Sequence, residues 1–186
     1  MAKFTFEKTP LCDAYVITPT IFGDSRGYFS ETYNKQEFHD NGITVDFVQD
    51  NESRSCRGVL RGLHFQKKNP QGKLVRCTEG EVYDVAVDMR KSSATFGKWY
   101  GVTLSAENKK MFYIPEGFAH GFFVKSESAT FSYKCTRLYC PDDEGGIAWD
   151  DKTVGVDWQI PEGTKVILSD KDRLLPTFDR LDFFFD

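Results

Sequence analysis

Apolar and polar residues alternate with a period of two along most of the chain, in short runs bounded by Gly, Pro, Asn or Asp. This pattern predicts strands rather than helices. Strands are expected at 14–18, 28–33, 45–49, 59–66, 74–78, 82–88, 99–104, 111–114, 121–125, 130–136 and 166–168. Pro19 ends the first, and 22–27 reads as turn chemistry before the second. Asn34 is placed to cap a short helix over 35–40 that Gly42 closes, the only helix expected ahead of the C-terminal region. Short strands at regular spacing indicate an all-β sandwich or small barrel. No repeat, low-complexity tract or linker interrupts them, so one domain over residues 1–186 is expected, long enough to bury a core. Within 82–88, alternation puts Asp84 and Asp88 on one face and Tyr83, Val85 and Val87 on the other. The apolar tail, from Leu174 to the run Phe183, Phe184 and Phe185, is expected to pack back on the domain or on a second subunit.

One stretch breaks the pattern. Residues 58–76 set Arg61, His64, Lys73 and Arg76 among aliphatic neighbours, where charged groups are expensive to bury without partners. A site that handles negative charge and moves protons would explain them. Gly72 suggests a turn between two antiparallel strands, which would let His64 and Lys73 face a common space. Strict alternation, however, groups His64 with Leu60, Gly62 and Gln66 and puts Arg61 on the opposite face. If both serve one pocket, the strand must bulge or twist near Gly62.

The chain has 3 histidines: His39 on the predicted helix and toward the surface, His64 in mid-strand, and His120 in a turn entering a strand. A lone histidine in an apolar strand is ordinarily a satisfied core residue, so His64 gains weight only from its charged neighbours. As a proton acceptor it would need an orienting carboxylate, and spacing leaves Asp84, Asp88 and the acidic turn at 169–172 open. Tyr133 lies in an apolar strand and would serve equally as a proton donor or as a core aromatic with its hydroxyl at the rim. Lys73 would hold a developing oxyanion if it faces the site, and would otherwise be a surface lysine in a turn. Residues 113–122 resemble the second sequence motif of the cupin superfamily, Pro-x-Gly-x-x-His, here Pro115 to His120. The first cupin motif would need His-x-His, where this chain has His64, Phe65 and Gln66, a poor metal shell. No bound catalytic metal is expected.

Composition narrows the partners. A net charge of −4 supplies no excess of basic groups for nucleic acid. No run approaches a membrane span, and the N-terminal residues lack the apolar core of a signal peptide. The 5 cysteines, Cys12, Cys56, Cys77, Cys135 and Cys140, have no zinc-like pairing and read as free thiols in a reducing cytoplasm.

Taken together, the runs at 22–29, 47–51, 60–66, 72–76, 114–122 and 168–172 resemble the dTDP-4-dehydrorhamnose 3,5-epimerase family of the cupin superfamily, in family order and spacing from about residue 13 to 176. The resemblance implies a double-stranded β-helix (jelly roll) with a few short helices. It also implies a homodimer and a cofactor-free conversion of dTDP-4-dehydro-6-deoxy-D-glucose to dTDP-4-dehydro-L-rhamnose. By it, His64 is the base, Asp172 its orienting partner, Lys73 the enolate stabiliser and Tyr133 the acid. Arg26, Glu31, Gln49, Asp50, Asn51, Arg61, Lys73, His120, Glu144 and Lys171 match positions that bind the nucleotide sugar, and Tyr139 the one that stacks on thymine. Tyr28 and Ser30 stand where other aromatics are common in the family. Two related readings remain: an epimerase acting at C3 or C5 alone, and a non-catalytic sugar-nucleotide-binding cupin, which would not need His64, Asp172, Lys73 and Tyr133 together. A metal-dependent cupin oxygenase is disfavoured by Gln66.

Overall fold

The structure, a computed structural model, describes residues 3–186; Met1 and Ala2 lie outside the described residues. The chain runs through β1 (Phe4–Lys8), β2 (Tyr15–Pro19), β3 (Phe22–Asp24), β4 (Gly27–Phe29), α1 (Lys35–Asp40), β5 (Gln49–Cys56), β6 (Leu60–Gln66) and β7 (Lys73–Glu79). It continues through β8 (Glu81–Asp88), β9 (Trp99–Ser105), β10 (Met111–Ile114), β11 (Phe118–Val124), β12 (Ser128–Cys135), β13 (Glu144–Gly146) and α2 (Asp170–Arg173). A six-stranded sheet has the order β1-β2-β10-β7-β12-β5, a five-stranded sheet the order β13-β6-β11-β8-β9, and β3 pairs with β4 alone. From β5 to β13 successive strands mostly change sheet, the back-and-forth course of a jelly roll.

Alternation along these strands sorts apolar side chains into layers. Val75 and Cys77, Val82 and Ala86, Phe112 and Ile114, Phe118 and Phe122, and Phe131 come from both sheets and fill the space between them. On β8 and β11 the intervening residues, Tyr83, Val85, Val87, Ala119 and Phe123, point the other way and are covered by the C-terminal segment through Trp158, Phe178, Phe184 and Phe185. The apolar tail therefore packs on its own domain, and partial burial of each such ring contributes on the order of 1 kcal/mol. A third cluster sets Phe38 of α1 against Phe4, Ile17, Leu74 and Met111 on the outside of the larger sheet. The helix has the predicted cap: Asn34 Oδ1 accepts the Glu37 N–H at 3.2 Å, and Gly42 leaves the helix at φ 90°.

Several expected boundaries move. The run expected at 45–49 is not a strand; pairing begins at Gln49 and continues to Cys56. That strand was hard to read because its inward residues, Gln49, Asn51 and Ser53, are polar, so no apolar alternation marks it. The stretch 22–27, expected as a turn, contains β3 and the hairpin bend, and the strand expected at 28–33 shortens to Gly27–Phe29. At 166–168 only a single bridge forms, Ile167 to Val59. β1, β13 and α2 carried too little pattern to be anticipated. His39 is partly covered on α1, with its Nε2 buried and without a hydrogen-bond partner, rather than on the surface.

Two corrections bear on the site. β6 and β7 lie in opposite sheets, so the 67–72 connection crosses the barrel and is not a hairpin turn. His64 and Lys73 face a common space across the sandwich instead of side by side. The distortion expected near Gly62 is present: β6 pairs β11 with His64 opposite His120 but Arg61 opposite Phe122, one extra residue on β6. Leu60, Leu63 and Phe65 consequently face the outer cluster, while Arg61 and His64 both line the interior cavity. Strict alternation, which grouped His64 with Leu60, fails at this residue.

Glycine at 62 is dictated twice. Its φ is 115°, and a Cβ there would meet Gly121 Cα at 2.6 Å and the His120 carbonyl oxygen at 2.7 Å. We expect Gly62→Ala to destabilise the fold by about 3 kcal/mol, read as a shift in the urea midpoint. A change within error would show that the bulge tolerates a side chain.

Candidate active site

Between the sheets, beyond the apolar plug of Phe122 and Phe131, the sandwich opens into a cavity of about 680 Å³. That is ample for a small-molecule site. The smaller sheet supplies Arg61, His64 and His120, and the larger sheet supplies Gln49, Asn51, Lys73 and Tyr133. Tyr139, Glu144, Lys171 and Asp172 close the rim from the loops, from β13 and from α2. The sequence alternates correctly for this on β5, where Gln49, Asn51 and Ser53 face in and Asp50 faces out to pair with Lys134 at 2.9 Å.

His64 and Asp172 form a hydrogen-bonded pair, with His64 Nε2 2.5 Å from Asp172 Oδ1. Asp172 reaches this position because Ser169 caps the short helix α2: the Asp172 N–H donates to Ser169 Oγ at 3.1 Å, and that hydroxyl donates to Asp172 Oδ2 at 2.7 Å. Burial would push this carboxyl up, but the hydrogen bonds from His64, Ser169 and the Gly62 N–H together hold it below the usual range. Asp172 is therefore an ionised carboxylate that accepts the Nε2–H and leaves His64 Nδ1 as the lone-pair nitrogen. Asp88, another carboxylate left open by spacing, is buried elsewhere, where it holds Arg90, Ser93 and Thr95.

Lys73 is half-buried at the cavity wall and its ammonium makes no hydrogen bond among the described residues. Burial lowers its pKa, partly opposed by nearby Asp84 and Cys135. Burial pushes the Tyr133 phenol up, so it stays protonated and can donate. Arg61 is steadied by Ser55 Oγ, which accepts from Nε at 3.2 Å and from Nη2 at 3.0 Å. Lys171 and Glu144 form an ion pair at the rim. Tyr139 is 51% exposed there, with its backbone N–H on Gln49 Oε1 at 2.8 Å.

Gln66, at the position where a metal cupin would need histidine, is turned away from the two histidines. Its Nε2 donates to the Asn69 and Leu138 carbonyls at 2.7 and 3.3 Å, and its Oε1 accepts from the Cys140 N–H at 2.8 Å. It ties down the loop that carries Tyr139. Ser53, Ser55 and Gln71 were not anticipated as neighbours of the site; for the two serines the one signal was the polar character of β5, and for Gln71, in the 67–72 connection, there was none. Arg26, Glu31 and Asp50 do not line this cavity. Arg26 sits at the tip of the β3–β4 hairpin against Asp24, and Glu31 pairs with Lys3 and Asn34.

The family model for dTDP-4-dehydrorhamnose 3,5-epimerase matches residues 8–180. The chain belongs to that family. Within it, the chain is 56% identical over 173 residues to the dTDP-4-dehydrorhamnose 3,5-epimerase of Methanothermobacter thermautotrophicus, covering 93% of this chain and 94% of that one. The crystal structure of the family member from Elizabethkingia anophelis superposes with a TM-score of 0.91 at 54% identity, covering 96% of this chain and 98% of that one. The epimerase of Legionella pneumophila, solved in complex with dTDP-4-keto-L-rhamnose, superposes with a TM-score of 0.93 at 48% identity over 96% and 95% of the two chains. The cupin jelly roll of these epimerases is thus the fold of this chain.

The bonds holding Asp172 make a prediction about acid stability. The folded protein binds this proton less readily than the unfolded chain does, so the stabilisation is complete above the ordinary value of 3.8 and is lost as pH falls through the lower folded value. Asp172→Asn is expected to lower Tm at neutral pH and to flatten the fall of Tm below pH 3.8. Parallel curves for the two proteins would remove Asp172 from acid unfolding.

Proposed function

We propose that this protein epimerises dTDP-4-dehydro-6-deoxy-D-glucose at C3 and C5 to give dTDP-4-dehydro-L-rhamnose. The observation that carries this reading is the His64–Asp172 pair in a cavity that also holds Lys73 and Tyr133. Substrate and product are stereoisomers, so the reaction needs proton transfer and no net redox change. The C4 ketone acidifies the protons on C3 and C5. His64 Nδ1 removes a proton, with Asp172 stabilising the imidazolium that forms. Lys73 holds the enolate oxygen in a site sheltered from water. Tyr133, on the opposing sheet, returns a proton to the other face of the sugar.

Arg61, with Gln49, Asn51, His120, Glu144 and Lys171, holds the nucleotide sugar. The guanidinium of Arg61 suits the diphosphate. The exposed ring of Tyr139 at the rim suits stacking on the planar thymine. Arg26 and Glu31 lie away from this cavity, so their part in substrate binding requires a second copy of the chain. The exposed Phe22, Tyr28 and Phe29 on the same hairpin favour a homodimer formed there. Sedimentation as a monomer at micromolar concentration would remove that arrangement. A cytoplasmic setting accords with five free thiols.

Incubation with dTDP-4-dehydro-6-deoxyglucose in D2O tests the function. Deuterium is expected at both C3 and C5; label at one carbon would make the protein a single-centre epimerase, and no label despite dTDP binding would make it a binding protein. Lys73→Ala is expected to slow exchange about 100-fold. Tyr133→Phe is expected to impair product formation more than initial proton loss, and equal loss of both would exclude it as the acid.

A further inference from the structure

A second histidine–carboxyl pair stands at the cavity wall. His120 stands directly across the β6–β11 ladder from His64, and its Nε2 lies 2.9 Å from Asp84 Oδ1. Asp84 is fully buried on the inward face of β8, among Val82, Ala86, Phe122 and Phe131, and its Oδ2 has no hydrogen-bond partner among the described residues. The environments of the two carboxyls differ in what they accept. Asp172 receives a hydroxyl and a backbone N–H besides His64. Asp84 has no hydrogen-bond partner besides His120 among the described residues. An ionised carboxylate with an orphaned oxygen in an apolar interior is costly, whereas a neutral carboxyl leaves only a carbonyl oxygen unpaired.

We propose that Asp84 is a positioning residue that keeps its own proton and donates it to His120 Nε2, fixing His120 as the tautomer with Nδ1–H directed at the substrate ketone beside Lys73. Burial works in the required direction on both partners, pushing the Asp84 carboxyl up and the His120 imidazole down. The groups acting on the pair are Lys73 from the opposing sheet, His64 from the adjoining strand, and the Phe131 ring stacked 6.1 Å from the imidazole. Lys73 further discourages a second positive charge on His120. Apart from its bond to Asp84, the His120 ring makes no hydrogen bond among the described residues, and it forms part of the cavity wall. The two pairs divide the labour: one carboxylate makes its histidine an acceptor, and one carboxylic acid makes its histidine a donor. A neutral N–H donor stabilises a developing enolate oxygen without itself being deprotonated at neutral pH, which a cationic imidazolium would risk.

The inference rests on the epimerase reading for its purpose but is tested without turnover. Nitrogen-15 NMR of the ligand-free protein, with histidines labelled and His120 assigned by His120→Gln, reads which ring nitrogen carries the proton. The expected result is His120 protonated on Nδ1 and His64 on Nε2, in wild type and in Asp84→Asn, whose amide can still donate to Nε2. Asp84→Leu, which cannot, is expected to lose the Nδ1–H preference and about 100-fold in kcat with KM changed less than about threefold, while Asp84→Asn stays within about tenfold of wild type. His120 found protonated on Nε2 alone, or as an imidazolium, in the wild-type protein at neutral pH would overturn the proposal, as would Asp84→Asn losing as much kcat as Asp84→Leu. If Asp84→Leu does not fold, the wild-type and Asp84→Asn spectra decide the matter. Normal tautomers in a protein that fails to exchange substrate protons would instead count against the epimerase reading.

Discussion

A β-strand shows alternate residues to opposite faces, so Arg61 and His64, three apart on β6, cannot share a cavity on a regular ladder. The extra residue at Gly62 is what allows it. Without that bulge either the arginine or the histidine would enter the outer apolar layer that Leu60, Leu63 and Phe65 occupy. The carboxylate that bonds His64 touches the same place, because the Gly62 N–H is among the groups that hold Asp172 ionised. Backbone approach at Gly62 and Gly121 brings β6 and β11 close enough for His64 and His120 to lie opposite each other.

From this constraint the remainder of the site follows as a division between rigid and late-arriving parts. The two sheets carry Arg61, His64, His120 and Lys73 on strands whose other faces are anchored in apolar clusters, and Tyr133 on β12, whose other face pairs Ser132 with Glu52 and Lys134 with Asp50. The orienting carboxylate comes from α2, far along the chain, which a serine cap and the packed C-terminal segment hold in place. The C-terminal segment thus helps place Asp172 at the cavity and is not only a cover for the sheet. Gln66 illustrates how the fold departs from a metal cupin: the side chain at the ligand position is committed to three loop hydrogen bonds.

Much of this was legible from the sequence, for identifiable reasons. Strands buried on one or both faces, such as 82–88 and 111–114, announced themselves by alternation, and the helix at 35–40 by its Asn34 cap. Charges in an apolar stretch exposed the site at Arg61, His64 and Lys73, and the clash with strict alternation located the bulge. What stayed hidden was what alternation cannot encode. β5 is polar on both faces because one of them lines the cavity, so it carried no apolar signal. Spacing left several carboxylates open for His64; the family resemblance pointed to Asp172, and the fold puts Asp172 on His64 and Asp84 on His120. The placement of β6 and β7 in opposite sheets is likewise a matter of topology, since Gly72 looks the same in a hairpin and in a crossover.

The central claim is that a single base, His64 held by Asp172, removes the protons from both carbons. The direct measurement is release of tritium from substrate labelled separately at C3 and at C5, compared between wild type and His64→Ala under single-turnover conditions. The account predicts that the variant loses release from both positions together. Retention of release at either carbon would contradict it and require a second base.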